Sequence, residues 1–262
     1  MSAGPRIGLV GHGWWCRHYL LPALRRAGAQ VPALCGRDED RARAAARDLD
    51  VPAGYGDVDA MLDAQPLDGV LITAPPSAHA GAVVAAAKRG LAVFCEKPLA
   101  RTAAESARML DACAGVPTMV GFTRRWDPAL MTARRLLDEG AVGRVRHLRY
   151  QTASVMAGDA TGEWTWRYDA DEYPYGVLSD LGPHALDLVR WLAGEPTAVG
   201  AEATTLFTDR PAPGGGRRPV RNWDDVVVTA DLAGGAGGAG AAGGAGGAGA
   251  AGGAGGAGAA GG

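Results

Sequence analysis

Between Arg6 and Val120 short, unbroken apolar runs alternate with stretches of helical period, a rhythm that few folds satisfy. The runs are RIGLV (6–10), VPALC (31–35), GVLIT (69–73), LAVFC (91–95) and TMV (118–120). Between them fall LLPALRRA (20–27), DEDRARAAARDL (38–49), AHAGAVVAAAKRG (78–90) and AAESARMLDACAG (103–115). A strand apolar at every position is covered on both faces, and strand–helix–strand repetition produces a parallel sheet with crossover helices. Residues 1–121 are therefore expected to form a doubly wound α/β domain. The charged stretch Asp38–Asp48 is read as the solvated face of its second helix.

After Gly121 the rhythm changes. A helix around PALMTARRLLDEG, a strand at RVRHLRYQTASV, an aromatic loop EWTWRYDADEYPY, a helix around ALDLVRWL and strands at AVGAEATTLF and DDVVVTADL follow. Strands returning after long connections predict an α+β domain over 122–233 with a mainly antiparallel sheet. From Gly234 the nine-residue unit GGAGGAGAA is written three times. Such a tract buries nothing and has maximal backbone entropy to lose, so 234–262 is expected to be disordered.

Composition excludes several classes. A net charge of -2 with no basic cluster gives no sequence-independent attraction to nucleic acid or an anionic membrane. No apolar stretch has spanning length and Arg6 opens a strand without a leader pattern, so the cytoplasm is the expected compartment. Cys16, Cys35, Cys95 and Cys113 form no CxxC pair, and no metal site is expected. Cys95, in an apolar run, reads as a buried thiol and not a nucleophile.

IGLVGHGWWC places Gly11 and Gly13 after the first strand and before a helix, the context of a Rossmann dinucleotide fingerprint. Gly11 permits the turn and Gly13 admits a pyrophosphate to the helix start, with His12, Trp14 and Trp15 lining the same loop; Cys16 departs from the usual small third residue. At the end of the second strand, Cys35-Gly36-Arg37-Asp38 offers no acid for the ribose hydroxyls. Arg37 suits a 2'-phosphate, favouring NADP over NAD, or is a surface residue beside the helix cap Asp38.

TAPPSAH (73–79), CEKPLA (95–100), GFTRRWDP (121–128), WRYD (166–169) and VLSDLGPHALDLVRWL (177–192) resemble, in order and spacing, the Gfo/Idh/MocA oxidoreductases, which include glucose-fructose oxidoreductase and inositol dehydrogenase. The likeness spans Arg6 to about Leu232 and implies NAD(P)-dependent hydride transfer to or from a hydroxyl or carbonyl of a sugar, cyclitol or related polyol.

Oxidising a secondary alcohol requires a base for the hydroxyl proton, and the reverse reaction requires an acid. A lysine in a partly desolvated cleft beside a cationic nicotinamide is pushed towards neutrality. By resemblance Lys97 holds that place, with Glu96 orienting it or touching the cofactor. Asp180 and His184, four residues apart, are assigned to the substrate hydroxyl and proton relay, and Asp187 to a structural hydrogen bond. Thr73 and Pro75 line the cofactor, and His79 either joins them or caps its helix. Arg125, Trp166, Arg167 and Tyr175 are candidate substrate contacts, because aromatic faces suit sugar rings. Taken alone, Lys97 reads as an exposed strand-end lysine, Asp180 as a helix cap and His184 as a packed first-turn residue; their conjunction favours the site.

Members of the family resembling this chain continue with further strands and a closing helix where the repeat stands here. An incomplete second domain with an open sheet edge, poorly soluble or partly molten, follows as an expectation, and it would compromise the family's homo-oligomerisation. A non-catalytic nucleotide-binding remnant and the family's NAD-dependent glycoside hydrolysis stay open as alternatives.

Overall fold

A computed structural model describes residues 4–154 and 158–233. The tail at 234–262 and the end of the strand expected over 144–155 lie outside the described residues.

Six short strands, β1 (Ile7–Val10), β2 (Ala33–Cys35), β3 (Ala53–Tyr55), β4 (Gly69–Ile72), β5 (Ala92–Cys95) and β6 (Thr118–Val120), form one parallel sheet in the order β3-β2-β1-β4-β5-β6. Side chains alternate between its faces. Leu9, Leu34 and Leu71 enter a core on one side with Cys16, Leu21, Ala42 and Ala46. Val10, Cys35, Val70, Ile72 and Val93 enter a larger one on the other side with Met61, Ala82, Val83 and Met109. Both faces are covered, which is why the strands read as unbroken apolar runs.

The crossover helices are α1 (Leu21–Arg26), entered through a π-helical turn at Cys16–Leu20, then α2 (Glu39–Asp48), α3 (Val58–Ala64), α4 (Pro76–Lys88) and α5 (Ala103–Ala112). Asp38, Asp57 and Thr102 cap α2, α3 and α5, each accepting a hydrogen bond from the amide three residues on. The β3–α3 pair is additional to the sequence expectation. AGY contains a glycine and VDAMLDA spans only seven residues, so neither displays a period long enough to read. Strand order reverses between β1 and β4, and the crevice beyond their carboxyl ends is where open α/β sheets bind ligands.

The remaining chain supplies α6 (Pro128–Asp138), a 3-10 turn (Trp166–Tyr168), α7 (Val177–Asp180) and α8 (Gly182–Ala193). β7 (Pro196–Thr204) pairs antiparallel with β10 (Asp225–Leu232), and β8 (Asp209–Pro211) with β9 (Arg217–Pro219). The strand expected at RVRHLRYQTASV is not formed over 144–154. β7 and β10 pair with each other, and neither makes a ladder with 144–154. No described helix is long and apolar enough to cross a membrane.

Leu9 is completely buried at the centre of the sheet. Leu9→Ala should lower unfolding free energy by about 2–5 kcal/mol, the usual cost of a lost leucine plus its residual cavity, measured by urea denaturation.

Candidate active site

At the end of β1 the chain turns through Gly11 with φ +94°, where an added Cβ would lie 2.6 Å from the amide nitrogen of Ala74. Only glycine lets the loops after β1 and β4 approach so closely. Thr73 donates its amide to the Val10 carbonyl at 2.8 Å and fastens the same junction. A Cβ at Gly13 would meet nothing within 4 Å, so Gly13 faces open space before the helix that starts at Trp14. The first amides of that helix have no acceptor within it and its dipole favours an anion. This open glycine cradle fits a dinucleotide pyrophosphate. Cys16, fully buried in the α1–α2 core, fills the third fingerprint position without closing the turn.

The end of β5 forms the other side of the crevice. Glu96 is buried, and its carboxylate accepts from Trp15 Nε1 at 2.9 Å and from the Lys97 amide at 3.1 Å. An added Cβ at Gly121 would lie 2.7 Å from Oε2, so no side chain fits there. Glu96 thus ties the fingerprint helix to the backbone of Lys97 and leaves the lysine side chain to another partner. That partner is Asp180: Lys97 Nζ donates to Oδ1 at 2.7 Å and to the Asp180 carbonyl at 2.9 Å. Arg167 Nε stands 3.9 Å from Asp180 Oδ2, with its guanidinium 4.5 Å over the Trp166 ring.

Asp180 and His184 do not share one helix turn as expected. Asp180 ends α7, Leu181 intervenes, and His184 lies in the first turn of α8. His184 is buried, edge-on to Phe122, and its Nδ1 has no hydrogen-bond partner. Burial, reinforced by the nearby Lys97 and Arg124 cations, pushes this imidazole down to about 4. It is neutral at pH 7 and has an unused ring nitrogen.

Two side chains expected at the site make structural contacts. His79 is buried, with Nδ1 3.0 Å from the Pro98 carbonyl and 3.2 Å from that of Leu99, and Nε2 2.8 Å from the Ala74 carbonyl. The neutral imidazole donates its one N–H to one of these carbonyls and so fastens the loops after β4 and β5, and it makes no capping hydrogen bond to α4. Arg125 makes a two-pronged ion pair with buried Asp187, at 2.8 and 2.6 Å, and lies 5.8 Å over Trp191. A side chain so engaged holds α8 in place and is not available to substrate. Its neighbour Arg124 is the one near His184, and among the described residues it carries no ion pair. The sequence shows two adjacent arginines without revealing which one Asp187 takes.

The aromatic loop divides. Trp164 and Tyr173 are buried, Tyr173 edge-on to Trp166, and burial beside Asp180 holds the Tyr173 phenol well above its usual range. Tyr175 is half exposed against Trp223. Trp14 stands in solvent beside His18 and Tyr19, whereas Trp15 stacks on Tyr19 at 4.4 Å. Cys95 is buried and its thiol is pushed up to about 12, so it is no nucleophile at neutral pH. Among the described residues, no three His, Cys, Asp or Glu side chains are grouped to hold a metal.

Residues 5–122 match the model of an oxidoreductase family with an NAD-binding Rossmann fold, and residues 130–245 match the GFO/IDH/MocA C-terminal domain. The chain belongs to the Gfo/Idh/MocA oxidoreductase family. It is 31% identical to levoglucosan dehydrogenase of Pseudarthrobacter phenanthrenivorans over 89% of this chain and 66% of that one. It is 36% identical to D-xylose 1-dehydrogenase (NADP(+)) 2 of Haloferax volcanii over 76% of this chain and 60% of that one. A structure of levoglucosan dehydrogenase with NADH and L-sorbose superposes with a TM-score of 0.82 at 30% identity, covering 89% of this chain and 65% of that one. The chain thus spans about two thirds or less of these relatives' length.

Arg125→Ala should cost about 2 kcal/mol in stability, the low end for orphaning a buried carboxylate because Arg125 is itself half in solvent, and Arg125→Ala/Asp187→Ala should cost less than the two single changes summed. His184 predicts an acid limb. Its ordinary value is 6.5 and its folded value about 4, so between those pH values the unfolded state binds more protons and stability falls as pH falls. His184→Asn should flatten that limb in unfolding titrations while leaving the slope above pH 7 unchanged.

Proposed function

We propose that this chain is an NAD(P)-dependent dehydrogenase acting on a secondary hydroxyl, or the corresponding carbonyl, of a sugar, cyclitol or related polyol. The observation that carries the reading is the 2.7 Å contact of Lys97 with Asp180, near a neutral His184 whose Nδ1 is unpartnered, at the crevice of a sheet whose fingerprint loop is open. When bound, the nicotinamide supplies the hydride acceptor or donor. Gly11, Gly13, Trp15, Thr73, Pro75 and Glu96 surround its place.

The residues present can perform the proton half of the reaction. Lys97 is held from both ends, its backbone by Glu96 and its Nζ by Asp180, so the ammonium is fixed where a substrate oxygen enters. Asp180, balanced between Lys97 and Arg167, is the acceptor to which a hydroxyl or the lysine proton can be passed. His184, neutral inside the same wall, is the second acid/base candidate, with Nδ1 lying below the surface so that a proton reaches it only through an intervening group. Arg124 and the Trp166–Arg167 pair supply donors and an apolar face suited to a polyol. Among the relatives, the levoglucosan and D-xylose dehydrogenases act on sugars or sugar anhydrides by name, which supports this substrate class. Arg37, exposed at the end of β2 with no carboxylate in the ribose position, favours NADP over NAD.

Lys97→Ala should reduce kcat by about 100-fold or more on whichever polyol the wild type turns over, the usual contribution of a positioned proton-transfer group, while nucleotide affinity changes by less than about threefold. A panel of hexoses, pentoses, inositols and anhydrosugars followed at 340 nm identifies that polyol. Unchanged turnover in Lys97→Ala would remove the lysine from the mechanism, and tight nucleotide binding without turnover on the whole panel would indicate a nucleotide-binding protein that is not a catalyst.

A further inference from the structure

The segment between β9 and β10 backs the reaction centre. Asn222 lies in it, 2% exposed. Its Nδ2 donates to the Arg167 carbonyl at 2.6 Å and to the Tyr173 carbonyl at 2.9 Å, 55 and 49 residues away in sequence. Two carbonyl acceptors fix which way the amide points, because the flipped side chain would set its oxygen against both. Beside it the Trp223 carbonyl accepts from the Val177 amide at 2.8 Å, and a Cβ added at Gly176 would fall on that carbonyl. Asn222 and Trp223 together hold the loop that carries Arg167 and the start of α7, the helix that ends at Asp180.

This strap is anchored away from the crevice. Thr205 Oγ1 donates to the Asn222 carbonyl at 3.0 Å, and the Asp224 amide donates to the Thr204 carbonyl at 3.1 Å. The Asp224 carboxylate accepts from the Leu206 amide at 2.6 Å and the Phe207 amide at 2.9 Å. The end of β7 is therefore the fixed side, and the Asn222 amide is the arm reaching from it to the loop. Arg167 needs such an arm. Its Nε stands 3.9 Å from Asp180 Oδ2, beyond hydrogen-bond distance, and its side chain is 39% exposed. A partly exposed charge pair at that separation does little to place itself. The backbone at 167 decides where the guanidinium stands, and Trp166, under that guanidinium and edge-on to Tyr173, belongs to the same loop.

We infer that Asn222 is a positioning residue of the reaction centre: tied to the end of β7, its amide holds the Arg167 carbonyl and keeps the guanidinium at the outer oxygen of Asp180, so that Asp180 faces Lys97 on one side and Arg167 on the other. It acts through Arg167, from behind the loop. The inference rests on the proposed dehydrogenase reading, in which Asp180 is the proton acceptor.

The test joins a double-mutant cycle to limited trypsinolysis of the full chain. On the polyol that the wild type oxidises, Asn222→Ala should lower kcat by about tenfold, the cost of a displaced group beside the reacting atoms, while nucleotide affinity changes by less than about threefold. In an Arg167→Ala background the same change should cost less than about threefold, because the group it positions is gone. A residue that only stabilises the fold would cost the same in both backgrounds. Trypsin reads the contact without any substrate. The Arg167–Tyr168 bond, whose carbonyl Asn222 holds, should be cut faster in Asn222→Ala, whereas cutting after the exposed Arg144 should keep its wild-type rate. Asn222→Ser, which keeps one donor, should fall between the wild type and Asn222→Ala in both readouts, and it stands in for alanine if that variant does not fold. Equal losses of kcat in the two backgrounds, or unchanged cutting at Arg167, would overturn the inference while leaving the dehydrogenase reading standing. A wild type that turns over no polyol would overturn that reading, and this inference with it.

Discussion

The ammonium of Lys97 against the carboxylate of Asp180 joins chain segments 83 residues apart, and the geometry of the crevice depends on it. Lys97 belongs to the end of β5 and Asp180 to the end of α7, so their contact sets how the second half of the chain approaches the sheet. The pair is only partly desolvated, with the lysine side chain 16% and the aspartate 32% exposed. A fully buried pair would be locked by desolvation cost; one at a cleft mouth keeps its charges accessible to an incoming hydroxyl while holding its geometry. The contact is a structural fastening, and in the proposed function it is also the chemical centre.

Around it stands a set of polar fastenings that leave few groups free. Glu96 joins Trp15 to the Lys97 backbone, His79 joins the loops after β4 and β5, and Arg125 holds α8 through Asp187. Each has one buried partner, Glu96, His79 or Asp187, and each ties together segments apart in sequence. With these commitments made, the Arg124 guanidinium and the first amides of the fingerprint helix are among the polar groups without a protein partner, and the unpartnered His184 Nδ1 lies buried behind them. A crevice whose structural polar groups are satisfied internally presents its remaining ones to a ligand, the condition for preorganised recognition.

Much of this was legible in the sequence because the governing signals are local. Five of the six parallel strands could be read from unbroken apolar runs, and Lys97, Asp180 and His184 were brought together by motif order and spacing. What the sequence did not reveal is decided by long-range competition for partners. His79 reads as a cofactor contact or a helix cap until the three carbonyls around it are known. Arg124 and Arg125 are adjacent and chemically identical, and only the position of Asp187 assigns one to structure and leaves the other at the site. β3 is three residues with a central glycine, and it forms a strand because β2 offers it an edge. RVRHLRYQTASV has strand composition, yet along 144–154 it pairs with no strand of the described sheets. Trp15 reads as part of the fingerprint loop, and its bond to Glu96, 81 residues away, is invisible to any local pattern.

The most direct test of the account is a fluorescence titration of the full chain with NADPH and NADH, watching energy transfer from Trp14 and Trp15 to the reduced nicotinamide. The account predicts saturable transfer with both, tighter for NADPH, largely abolished when Gly13→Val fills the open cradle while the protein remains folded by circular dichroism. No transfer with either nucleotide, or transfer undiminished in Gly13→Val, would contradict the placement of the dinucleotide in this crevice.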